Sequence, residues 1–195
     1  MMKRTIAIVL SGLLMIGLIG CGKAAETPGD TTVTEAVAAT DATDLLTQVW
    51  NSYADEDKFA LGGGDYNNMV MDAPGKFDVS MVEDLDAMLG LPQSSASMID
   101  DAASVMHMMN ANTFTAGAYH VADTANQQAV VDSLKENIMN RQWMCGFPDT
   151  LIVANVGGEY VVSAFGNAEI IENFKNKLSE TFSLTNIVYE ESLTE

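Results

Sequence analysis

Two apolar runs, residues 151–154 and 160–165, stand on either side of Gly157-Gly158. Each is too short for a stable helix and rich in β-branched and aromatic side chains. Paired glycines supply the positive φ that a tight hairpin turn demands. A second such pair comes earlier, where residues 105–109 and 114–121 are separated by the turn chemistry of Asn110-Ala111-Asn112. Between the hairpins, a stretch capped by Asp123 or Thr124 and ending near Arg141 carries Ala129, Val130, Leu134, Ile138 and Met139 at helical spacing. After the second hairpin, residues 168–178 place Ile170, Ile171, Phe174 and Leu178 on one side. The order from residue 104 onward is ββαββα. It predicts an α+β two-layer sandwich, with a four-stranded, mainly antiparallel sheet and two helices on one face.

Two short helices are expected before this unit. One spans 43–54, with Leu45, Leu46, Val49, Trp50 and Tyr53 inward and Asp41 or Thr43 as cap. The other spans 81–89, opened by the capping-box pair Ser80 and Glu83 and closed by Gly90 and Pro92. Gly62-Gly63-Gly64-Asp65 and Ala73-Pro74-Gly75 mark loops around a short extended piece at 66–71. The single domain is bounded at 42–182, and residues 183–195 read as a loosely ordered tail.

The amino end carries a different message. Lys3 and Arg4 precede an uncharged apolar stretch, 6–19, that falls short of the about 20 residues needed to span a bilayer. It has the length of a signal-peptide core. Leu18-Ile19-Gly20-Cys21 resembles the lipobox of bacterial lipoproteins, which implies cleavage between Gly20 and Cys21 and diacylglycerol on the Cys21 thiol. Residues 1–20 are therefore expected to be removed, and the product to sit on the outer face of the cell membrane. Acyl chains on Cys21 would hold it in the lipid bilayer. Residues 21–41 are small, polar and acidic, which predicts a flexible tether.

Charge excludes one partner class. The chain has nine basic and 27 acidic residues, a net charge of −18. Loss of Lys3 and Arg4 with the signal leaves seven basic residues against the same 27 acids, or −20. Such a surface repels nucleic acid. It attracts cations or basic peptides, and it also serves solubility beside an anionic envelope. The chain contains two cysteines. With Cys21 taken by lipid, Cys145 has no partner for an internal disulfide.

Three residues carry candidate chemistry. Cys145, in Trp143-Met144-Cys145-Gly146-Phe147-Pro148, superficially resembles a thioredoxin redox motif. Met144 separates it from Trp143, however, and Pro148 stands where the second thiol would fall. His107 lies among Met106, Met108 and Met109 in a chain with 13 methionines, a soft-ligand composition suited to Cu(I). Alternation along a strand sends Met106 and Met108 to the face opposite His107 and Met109. His120 joins His107 only if the hairpin register allows. The ordinary reading has Cys145 packed under a loop, the methionines filling core, and both histidines half-buried. Acid pairs such as Asp84/Asp86 and Asp100/Asp101 lack the pattern of a calcium loop. No nucleophile elbow, P-loop, dinucleotide fingerprint or zinc-spaced set occurs, so neither an enzyme nor a cofactor is expected.

Met108-Met109-Asn110-Ala111-Asn112, followed by strand, long helix, strand, turn, Tyr160-Val161-Val162 and a closing helix with Phe174, resembles an uncharacterised lipoprotein family of Gram-positive anaerobes. The resemblance covers roughly residues 97–180 plus the signal. The family is a domain of unknown function, so it implies an exported lipoprotein and transfers no active site. Some members carry the label bacteriocin transport accessory protein, which implies a role in peptide export. The leading expectation is a non-catalytic envelope module binding an envelope protein or small ligand through its sheet or the 62–76 loops. A thiol-redox or soft-metal protein using Cys145, His107 and His120 is the alternative.

Overall fold

The computed structural model describes residues 38–109, 112–144 and 146–194. The signal peptide, Cys21, the tether up to residue 37, and Cys145 lie outside the described residues. Helix α1 (Ala42–Asn51) starts where Asp41 Oδ1 accepts the Asp44 N–H at 2.7 Å. Short strands β1 (Leu61–Gly63), β2 (Val70–Met71) and β3 (Gly75–Phe77) follow. A single α-helical turn, α2 (Val82–Asp84), widens into a π-type segment (Leu85–Leu89) that ends at Gly90 with φ 80°. The rest is β4 (Ile99–His107), β5 (Phe114–Val121), α3 (Gln127–Met139), β6 (Thr150–Val156), β7 (Tyr160–Gly166), α4 (Ala168–Thr181) and β8 (Thr185–Ser192).

The chain is α+β with an antiparallel sheet. The two expected hairpins form its centre, β4-β5 and β6-β7, joined through β5 and β7. Gly157 and Gly158 turn the second hairpin at φ 63° and 88°, both in the left-handed region open to glycine. The sheet is wider than the four strands expected. Among the described residues it has eight, ordered β2-β1-β4-β5-β7-β6-β8, with β3 also paired to β4. β1, β2 and β3 contain glycine, lysine and methionine in pieces of two or three residues, too short to show a period. β8 occupies most of the segment expected to be a loose tail and pairs with β6 from Thr150↔Ser192 to Val156↔Thr185.

The expectation that both long helices share one face is overturned. α4, through Ile171, Phe174 and Leu178, packs with α1 on one side of the sheet. α3, through Val130, Val131, Leu134 and Ile138, packs with Leu85, Leu89 and Leu91 on the other. The physical reason lies in the strands themselves. Ile152, Ala154, Val162 and Ala164 point to the α1/α4 side, while Leu151, Val153, Val161 and Phe165 point to the α3 side. Unbroken apolar runs need cover on both faces. On the α1/α4 side, Ala103, Ala116, Ala118, Ala154 and Ala164 are completely buried, and their small side chains give two helices room against one sheet.

Smaller corrections follow from tertiary contacts. Ala129 and Met139 are exposed, and Val131 takes the buried place on α3. The capping box does not form. Ser80 instead bonds Asp78 Oδ1 through its N–H (2.9 Å) and Oγ (2.7 Å). The 81–89 segment is held from outside. Asn137 Nδ2 donates to Asp86 Oδ1 (2.8 Å) and Gly90 O (3.0 Å), and the Arg141 guanidinium donates to the carbonyls of Asp86 and Ala87.

Candidate functional site

The loops around β1–β3 frame a depression of about 420 Å³ lined by Asp65, Asn68, Lys76, Asp78, Asp100 and Asp101, among others. Its wall begins with two glycines that let backbones touch. A Cβ on Gly63 would stand 2.2 Å from Gly75 N and 2.6 Å from Ser104 O. Gly64 takes φ 92°, and buried Ser104 locks it by accepting its N–H (2.9 Å) and donating to its carbonyl (2.8 Å).

That turn delivers Asp65 into the interior, where it is 1% exposed. Asp65 Oδ1 accepts the N–H groups of Asn67 (2.8 Å) and Asn68 (2.9 Å), and Oδ2 accepts that of Asp78 (3.2 Å). Asn68 Nδ2 donates to both oxygens. Burial pushes the carboxyl up, but the bonds from Asn67, Asn68 and Asp78 outweigh it and hold Asp65 below its ordinary 3.8. Asp65 is thus a latch between two loops.

Asp65→Asn should cost about 2 kcal/mol at neutral pH, because an amide cannot satisfy all these donors. Since the folded pKa is depressed, this stabilisation is present above the unfolded value of 3.8 and is lost as pH falls through the lower folded value. The gap between wild type and variant in urea midpoints should therefore shrink below that pH. A gap of constant size would show that the ionised carboxylate is not the latch.

The floor is made by Asp101. Its Oδ2 accepts the Ala42 N–H at 2.8 Å, tying the start of α1 to β4. Lys76 Nζ stands 3.3 Å from Oδ1, within ion-pair range but without hydrogen-bond alignment. A bulge between Ile99 and Asp101 turns Asp100 toward His120, with Nδ1 2.5 Å from Asp100 Oδ1. Glu159 Oε2 lies 3.9 Å from Nε2, and Tyr160 packs edge-on at 5.1 Å.

His107 is elsewhere. His120 is in register with Asp101, and His107 lies six residues farther along β4, about 20 Å at strand rise. His107 stacks on Phe59 at 4.5 Å, and its Nδ1 accepts the Met109 N–H at 3.0 Å. Burial lowers its pKa, which agrees with an unprotonated Nδ1. The structure therefore does not bring the two histidines together. It does place Met106, His107 and Met109 around one recess of about 260 Å³, with Met88 and Trp143. Met106 and His107, consecutive in β4, both border this recess at the strand's last residues, although alternation separates them. Cys145 and Cys21 fall outside the described residues.

Among the described residues, no group of three or more His, Cys, Asp or Glu is placed to hold a metal ion. No helix among them is long and apolar enough to cross a membrane. The sequence marked the Gly62–Asp65 turn as a loop. It gives no sign of Ser104 or Lys76 and offers Asp101 only as half of an acid pair, because their roles arise when β1, β3 and α1 meet β4. In comparisons with known proteins, the chain matches no family model, no curated protein and no solved structure.

Proposed function

We propose that this chain is a membrane-anchored extracytoplasmic lipoprotein that acts as a non-catalytic binding or accessory module of the cell envelope. The anchor reading rests on Leu18-Ile19-Gly20-Cys21 behind a short apolar core. The binding reading rests on one observation, the acidic depression framed by the latched 64–78 loops. Its polar groups are committed to holding the loops and α1 in place, with Lys76 beside Asp101, and this suits a preformed surface. The separation of His107 from His120 weighs against a soft-metal centre that uses both.

Feeding cells a clickable fatty acid should label the wild-type chain and leave Cys21→Ser unlabelled, with the wild type in the membrane fraction. A Cys21→Ser chain that still took up label, or an unlabelled wild type, would remove the anchor.

A further inference from the structure

Soluble domains seldom cluster large exposed apolar side chains without use. Here Met144 (93% exposed), Phe147 (69%), Met71 (58%), Met109 (57%) and Met108 (39%) are exposed, on segments gathered near the His107 end of β4. Met71 is in register with Gly62, and the Met108 thioether lies over Gly62. Met109 lines the His107 recess together with Gly146, which Phe147 follows.

The charges around the patch are mostly acidic, although Arg141 also lines the His107 recess. Met144 shares a depression with Glu83 and Asp86, whose basic neighbour Arg141 is already engaged by Asp86. Asp72 follows Met71. Asp55, Glu56 and Asp57 precede the Phe59 that stacks on His107, and Lys58 is paired with Asp55. An anionic lipid surface and a second copy of a chain with net charge −18 would both be repelled. Methionine side chains are flexible and adapt to varied apolar shapes.

Resting on the binding-module reading, the geometry points to a partner: a cationic amphipathic peptide segment. Its apolar face covers the methionines and enters the recess, while its basic face meets the acidic rim. The 64–78 depression is not part of this surface.

The test uses the full mature chain in detergent and a labelled Leu/Lys peptide of about 18 residues with its leucines on one helical face. Fluorescence anisotropy should show saturable binding that weakens with salt. A scrambled peptide of the same composition should bind about tenfold weaker or worse. Met109→Ser/Met144→Ser/Phe147→Ser, all at exposed positions, should lose about tenfold, and Met144→Lys should lose a comparable amount. Equal binding of the scrambled peptide to the wild type would overturn the proposal without recourse to any variant. So would variants that bind as the wild type does. Self-association of the wild type in sedimentation, abolished by the triple substitution and with no peptide bound, would assign the patch to a second copy instead. Loss of peptide binding with Cys21 still acylated would leave the anchored-module reading intact, whereas an unacylated chain that binds would remove only the anchor.

Discussion

A chain stopped after Ser183 is expected to lose about 4 kcal/mol of stability and to aggregate. Four half-buried apolar side chains leave with β8, each worth roughly 1 kcal/mol of apolar burial. Val188, Tyr189 and Leu193 pack on the α3 side of the sheet, and Ile187 packs on the α4 side. Their removal uncovers the buried run of β6 and its unpaired hydrogen-bonding groups. A long apolar edge of that kind templates pairing between chains. The ion pairs Lys175–Glu190 (2.8 Å) and Lys135–Glu191 (2.9 Å) are also lost. Being near the surface, they add little to the total. Urea unfolding of full-length and shortened chains, with light scattering beside it, reads both effects. A shortened chain that stays monomeric with an unchanged midpoint would mean that β8 is a dispensable edge.

Gly63→Ala should destabilise by about 3 kcal/mol, at the upper end of overpacking costs. The added methyl would meet Gly75 N, the Pro74 carbonyl carbon and Ser104 O, all within 2.6 Å and all backbone. None can rotate aside, so β1 and β3 must part. The loop latched by Asp65 then loses its support, and the depression opens with it. The neighbouring Gly62→Ala is the matched control. Its nearest obstacle is the Met108 thioether at 2.8 Å, the end of a flexible and partly exposed side chain. Its cost should stay within about 1 kcal/mol, the scale of one rotamer adjustment. Equal urea midpoints for the two variants would refute the close crossing of β1 and β3.

These two experiments fall where sequence and structure part company. The central hairpins were legible because Gly157-Gly158 and the apolar runs around it act locally. So was the cap at Asp41, which needs only the N–H three residues on. The faces of α3 and α4 were half legible. Their buried stripes could be read off, but the side of the sheet each covers depended on seeing that 151–154 and 160–165 do not alternate. β8 did carry a signal in the β-branched and aromatic run Thr185-Asn186-Ile187-Val188-Tyr189. The acids that follow, and the register shift opposite Val153 and Ala154, hide its period. The positive charge that answers those acids comes from Lys135 and Lys175, which lie far back in the chain.

The candidate sites divide in the same way. The run Leu18-Ile19-Gly20-Cys21, the acidic balance and the count of two cysteines are properties of residue order and composition. The Asp65 latch, the tie from Asp101 to α1 and the distance between His107 and His120 are properties of register. A shift of one residue between β4 and β5 changes every cross-strand neighbour without altering the composition of either strand. The gathering of Met71, Met109, Met144 and Phe147 has the same origin, since those residues come from three separate segments. Sequence by itself determined the two central hairpins and the long helices, because these depend on neighbours in the chain. Tertiary structure alone decided which distant residues meet, because antiparallel pairing and two-sided packing bring together groups that no sequence spacing relates.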